Sequence, residues 1–235
     1  YIKKQTGCRV SSFYGDARPS PYHAELSNIA DGIYISNRSH VKQGKARGLS
    51  TYHYLPCPTD PELFHPHDLA KIHELAFIGN NNNSSRLTLL HRLNTRFDLV
   101  VAGNDWQISG LNYHDSVFGH DFAALCSRSK ILLGLMGDEW TSLEAYFSNR
   151  LANTMACGAF LIQRYTPGLE TVFENHRHLV WYKTEQDLFD QIEYYLAHDR
   201  EREDIANAGR MEVINRYNYS ESVKMILKSS GTLKS

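Results

Sequence analysis

The sequence predicts an α/β protein in which two layers of parallel sheet, joined by a Pro-rich linker, face a cleft. Three observations carry that expectation. Short β-branched and aromatic runs alternate with segments of helical periodicity along most of the 235 residues, the pattern of parallel strands joined through crossover helices. Pro56, Pro58, Pro61 and Pro66 crowd one stretch, which neither a helix nor a central strand tolerates. A 42% hydrophobic composition is enough to bury a sizeable core.

Residues 1–55 read as the first layer. RVSSFYG is strand-like, PYHAELSNIAD carries apolar residues at helical spacing, GIYIS is a short strand, and HVKQGKARG is a weak helix closed by Gly48. The chain opens on YIKKQTGCRVSSFYGD, without an initiating Met and entering a strand almost at once, so this N-terminal domain is expected to be incomplete. Residues 56–72 are the expected linker. From 73 to 215 the alternation is stronger, with LAFIG, DLVVAG, KILLGL, AFLIQ and HLVWY as strands. The polar turn NNNNSS leads into a helix over 86–97, with Leu87, Leu90, Leu93 and Phe97 on one face. A second helix led in by Ser148 and Asn149 runs to Cys157 and stops at Gly158. A short one covers 170–174, and another spans 184–198 with Leu188, Ile192 and Leu196 aligned. The stretch from Gly103 to about His120 lacks a pattern. Residues 216–235 are a helix and tail, with a break near Asn218.

Composition excludes several classes. Lys plus Arg number 25 against 26 for Asp plus Glu, and they are interspersed, so a nucleic-acid partner is not expected. The four cysteines show no C-x-x-C pairing and read as reduced thiols of a cytosolic compartment. No apolar run approaches a membrane span, and the N-terminus lacks a signal-peptide layout. Soluble and cytoplasmic is the resulting expectation. A G-x-x-x-x-G-K-[ST] loop and a strand-linked G-x-G-x-x-G are both absent, which removes the main support for ATPase and dehydrogenase readings. His65-Pro66-His67 brings two imidazoles together without a convincing third ligand, and there is no Asp-x-Asp triplet; no metal site is expected.

The most informative segment is SNRLANTMACGAFLIQRYTPGLETVFENHRHLVWY, residues 148–182. A helix N-terminus following a strand offers unpaired N–H groups and a positive field to a diphosphate. Ser148 and Asn149 either supply such amides or merely cap the helix, and Arg150 either grips a phosphate or makes a surface ion pair. In order and spacing this segment, with Phe77-Ile78-Gly79-Asn80 and Arg86, Gly103 and Trp106, and Gly168 and Glu170, resembles the donor-binding end of GT-B glycosyltransferases. Within them it is most similar to the spore-protein CgeB-type group. GDARPSP near the start is also similar to that group. The resemblance spans about residues 75–215 and implies two Rossmann-like domains facing a cleft. It also implies a metal-independent transfer from a nucleoside-diphosphate sugar to a saccharide, protein or small-molecule acceptor, with the donor as substrate and no cofactor.

The candidate residues follow one by one. Gly79 and Asn80 would let a backbone without Cβ approach the phosphates, and Arg86 would pair with one of them or be an ordinary surface Arg. Trp106 would flank the base or sugar, or pack beneath a loop. Gly168 and Glu170 would address sugar or ribose hydroxyls, unless Glu170 only complements a helix dipole. The resemblance is broken where related enzymes carry two glutamates eight positions apart: here stand Ala145 and Asn153, so any ribose contact from Asn153 is through its amide. Asp16 is the candidate general base or acceptor contact, its plain alternative being a helix cap or a pair with Arg18. Two further readings stay open: a non-catalytic sugar-nucleotide-binding or scaffold module of the same fold, and a phage-type DNA-base glucosyltransferase, against which the lack of a basic surface argues.

Overall fold

Along the central strands of the larger sheet, alternate side chains enter two different cores. Leu75 and Phe77 point to one, Ala76 and Ile78 to the other, and Leu99/Val101 and Val100/Ala102 divide in the same way. This is the period-2 geometry of a strand covered on both faces, and it explains why these strands read as unbroken apolar runs. In the computed structural model, which describes residues 2–18, 20–81 and 84–231, two parallel sheets carry the chain.

The N-terminal part opens with helix α1 (Ile2–Thr6), then β1 (Ser11–Tyr14), α2 (His23–Leu26), β2 (Gly32–Ile35), α3 (Arg38–Ala46) and β3 (Tyr52–Tyr54). Its strands form a parallel sheet in the order β1-β2-β3. The opening strand read from the sequence is therefore preceded by a helical turn, and the first expected helix, PYHAELSNIAD, is a single turn, α2. Asn37 caps α3 by accepting from the His40 N–H at 2.8 Å, which starts that helix despite its weak apolar stripe.

The larger sheet comprises β4 (His73–Ile78), β5 (Leu99–Ala102), β6 (Asn112–His114), β7 (Ser129–Gly134), β8 (Leu161–Arg164) and β9 (Val180–Tyr182), all parallel in the order β6-β5-β4-β7-β8-β9. That order is the doubly wound arrangement with its switch point between the first and fourth strands, β4 and β7. Helices α4 (Ser84–Asn94), α5 (Gly119–Arg128), α6 (Asn149–Ala156), α7 (Glu185–Ala197) and α8 (Asp199–Arg216) cover its faces. Gly158 ends the α6 region at φ +66°, as the sequence predicts. The β6 edge strand, fully exposed, went unread because it buries no apolar face. The expected helix near Glu170 is a 3₁₀ turn, Leu169–Thr171.

Helix α9 (Tyr219–Ser229) starts at Asn218, whose side chain accepts from the Glu221 N–H. It returns to the N-terminal sheet, where the Tyr34 hydroxyl donates to the Ile226 carbonyl at 3.3 Å. Direct bonds also join the two parts across the cleft. Tyr54 Oη donates to the Ala145 carbonyl at 2.8 Å, and Arg38 N–H donates to the Glu144 carbonyl at 2.9 Å. Lys42 pairs with Glu144 at 2.5 Å. The architecture is the GT-B-like one the resemblance implies.

Candidate functional site

The ends of β4 and β5 and the start of α6 meet over the switch point, where an α/β sheet opens a crevice. Gly103 has φ +146° and packs its Cα against the Gly79–Asn80 backbone so closely that no Cβ could be placed there. Asn80 Oδ1 then accepts from the Asn104 N–H at 3.1 Å. Together these contacts hold two glycine-lined strand ends as one rim.

Arg150 crosses this rim. Its Nη1 lies 2.5 Å from where a Cβ on Gly79 would sit, its Nη2 donates toward the Leu135 carbonyl beyond β7 at 3.4 Å, and its guanidinium stacks on the Phe77 ring at 5.2 Å. Arg86 stacks on the same ring, also at 5.2 Å, and its Nη1 donates to the Asn80 carbonyl at 3.0 Å. Among the described residues no carboxylate lies within ion-pair reach of Arg150. Burial, and after it the neighbouring Arg86 charge, pushes the Arg150 guanidinium down to about 10. Burial likewise lowers Arg86, partly offset by Glu139. Two like charges held together in a partly desolvated crevice attract an anion.

Beside them lies a pocket of about 230 Å³. Ile78, Val117, Phe118, Phe122 and Phe64 form its apolar wall, and Asn80, Arg150 and Asn153 contribute polar groups. Phe64 meets Phe122 edge-on at 5.5 Å. An apolar slot with a few polar groups at one end suits a flat heterocycle joined to a polar tail. Phe64, Ser116, Val117 and Phe118 were not foreseen. They sit in the linker and in the stretch without periodicity, where no sequence pattern marks a cavity wall.

Gly79, Asn80, Arg86, Arg150 and Asn153 are thus brought together. The other candidates fall elsewhere. Trp106 is completely buried in the core and donates from Nε1 to the Gly79 carbonyl at 2.7 Å. It cannot flank a base or sugar, because its ring packs edge-on against Phe77 from inside; it holds the Gly79 turn from below. Ser148 makes no side-chain cap bond, and the Asn149 backbone amide faces the Cys57 sulfur, whose thiol burial pushes up to about 12. The start of α6 is therefore less open than the sequence suggests, and the helix presents Arg150 and Asn153, one turn apart, instead.

Gly168, at φ +81°, and Glu170 follow β8 and do not line that pocket. There the Ala145 N–H donates to the Pro167 carbonyl at 2.7 Å, and Glu170 accepts from the Tyr165 hydroxyl at 3.1 Å. Asp16 is exposed on the N-terminal side, accepting from the Arg18 N–H at 3.1 Å. This is a local Asx turn: among the described residues Asp16 neither caps the next helix, whose N-cap is Tyr22, nor forms an ion pair with Arg18. Neighbouring Gly15 approaches α6, its Cβ position lying 3.5 Å from Asn149 Oδ1. Asn82 and Asn83 of the polar turn lie outside the described residues. The expectation that His65 and His67 lack a third partner is overturned, because α5 brings His120 to them.

Comparisons place this geometry. The structure is similar to HepE of Anabaena in complex with UDP and glucose, with TM-score 0.74 and 11% identity over 99% of this chain and 74% of that one. It is similar to the sucrose-phosphate synthase of Thermosynechococcus elongatus, with TM-score 0.68 and 14% identity over 98% and 69%. T4 phage BGT in complex with its UDP-glucose substrate gives TM-score 0.64 and 12% identity over 96% and 74%. At these identities the likeness is one of fold. No curated protein matches the sequence. The family model described as glycosyl transferase-like matches residues 86–228, more than half of the chain and the part that holds Arg86, Arg150 and Asn153. The chain belongs to the glycosyl transferase-like family and has the GT-B fold.

Proposed function

We propose that the protein transfers a sugar from a nucleoside-diphosphate sugar, held at the β4–β7 switch point, to an acceptor held against the N-terminal sheet, with no metal ion on the diphosphate. One observation carries this reading: Arg86 and Arg150 both stack on a single buried ring, and no acid of the described residues reaches Arg150. A diphosphate there would accept charge-assisted bonds from both guanidiniums, with the base in the slot walled by Phe118 and Phe122 and the ribose toward Asn153. As the bond from the anomeric carbon to the diphosphate breaks, charge grows on the departing oxygens. Fixed cations in a water-poor crevice stabilise that charge more in the transition state than before it. Asp16 would take the acceptor proton, with Glu170 and Gly168 on the sugar side. Assignment to the CgeB-type subgroup and to a reducing, cytoplasmic compartment belongs to the same proposal. Among the described residues, no helix is long and apolar enough to cross a membrane.

Titration with UDP, GDP, ADP, CDP and TDP in the presence of a chelator tests it. Saturable binding of at least one, weakened in Arg150→Met, is expected; silence toward all five sinks the reading. Ala145 and Asn153, standing where related enzymes carry carboxylates, favour one second reading, a binding module without turnover. Donor hydrolysis and transfer assays on protein shown to bind the nucleotide separate the two.

A further inference from the structure

We propose that His65, His67 and His120 form a site for a divalent transition-metal ion of the zinc type that pins the linker between the two sheets to the first turn of α5. One ligand nitrogen from each ring lies within 4.8 Å of the other two. The ring centroids are 5.0 Å apart for His65–His67, 6.4 Å for His65–His120 and 6.1 Å for His67–His120. A tetrahedral zinc ion places its nitrogens about 3.3 Å from one another. The three rings are half-buried or exposed, so the inward shift, on the order of 1 Å, is within reach of side-chain rotation.

Two contacts prepare the site. His65 Nδ1 lies 3.1 Å from the Pro66 carbonyl oxygen. That oxygen can only accept, so Nδ1 carries the proton and Nε2 keeps the lone pair. Imidazoles that bind metals commonly hold their other nitrogen on a carbonyl in this way, which fixes both tautomer and ring. His67 is anchored through its backbone, whose N–H donates to Ser127 Oγ on α5 at 3.0 Å, while Pro66 between the two histidines restricts the chain. Three imidazoles without a carboxylate favour zinc, nickel or copper over calcium or magnesium. They also leave one position for water or a further ligand.

The site adjoins the donor pocket without lining it. Phe64 and Gly119, which do line it, immediately precede His65 and His120, so a bound ion would fix one pocket wall. It would not take over the work of Arg86 and Arg150 on a diphosphate.

The test uses the full chain, stripped by chelator and titrated with zinc against a chromophoric competitor, then with cobalt(II) read by visible absorption. One equivalent of zinc and the intense bands of tetrahedral cobalt are expected. His67→Gln and His120→Gln should each weaken binding by at least about tenfold, with circular dichroism showing both variants folded. His91→Gln, on α4, should leave it unchanged. No saturable uptake at micromolar zinc, or uptake that survives both substitutions, overturns the proposal. Nucleotide titration is a separate measurement on the same protein, so loss of the metal site and loss of the donor reading are distinguishable.

Discussion

Arg150 occupies space that only a glycine at position 79 leaves open: its Nη1 stands 2.5 Å from the missing Cβ, and the Phe77 ring follows at 2.8 Å. Gly79→Ala must therefore push the guanidinium away from the switch point or press the buried Phe77 ring, and the guanidinium is the softer of the two. Isothermal titration should show nucleoside-diphosphate affinity weakened about tenfold or more, equivalent to about 1.4 kcal/mol. The accompanying overpacking should cost about 1–3 kcal/mol of stability. Unchanged affinity would mean that the guanidinium's place over Gly79 is immaterial to binding.

Removing the Arg150 charge should separate binding from stability. Arg150→Met keeps the contact with Phe77 but ends the repulsion from Arg86 and the burden of a desolvated cation that no described acid neutralises. The expected outcome is a melting temperature equal to or above that of the parent. Affinity for the diphosphate should fall by about 1.5–3 kcal/mol, the range for hydrogen bonds to charged groups. With Arg86→Met the loss should be non-additive, since both cations address one ligand. Parallel losses of stability and affinity would recast Arg150 as a structural residue.

The sheet was legible in the sequence because buried parallel strands leave continuous apolar runs, and β4, β5 and β7 did so. That Gly79, Asn80, Arg86, Arg150 and Asn153 stand at strand ends and helix starts was legible because such ends are marked locally; that they meet in one crevice is seen only in the fold. Trp106 was not, because an aromatic after a strand can face outward or inward, and only the Gly79 carbonyl above it decides. His120 escaped for a related reason: a ligand set assembled from a linker and a helix more than fifty positions away has no spacing to read. The exposed β6 strand hid through its lack of apolar alternation.

The inward placement of Trp106 makes its own prediction. Trp106→Phe removes the Nε1–H donor to the Gly79 carbonyl and should cost about 1–3 kcal/mol of stability in denaturant titration, the penalty for a buried acceptor left unsatisfied. Preference among the nucleoside diphosphates should not change, since the ring does not reach the pocket. A shift in base preference would return Trp106 to the binding surface.

Asn153 should report on the nucleoside part of the ligand alone. It lines the pocket one helical turn after Arg150. Asn153→Ala should weaken a nucleoside diphosphate by about 0.5–1.5 kcal/mol for one neutral hydrogen bond while leaving inorganic pyrophosphate binding as it was. Equal weakening of both ligands would place Asn153 on the phosphates instead.

Acid should loosen the N-terminal sheet before it touches the crevice that holds Arg86 and Arg150. His23 and His40 are both buried there. Burial lowers the pKa of each, and His23 lowers that of His40 further. Their folded values thus lie below the ordinary imidazole value of about 6.5, so between the two the unfolded chain binds more protons than the folded one. Stability is then complete above that value and falls as pH drops from it through the depressed folded values. Thermal melts from pH 7.5 down to pH 5 should show this decline. His40→Gln, which keeps a polar partner for Asn37 but cannot be protonated, should flatten it. A slope that is the same with and without the imidazole would show that these rings are not what acid titrates.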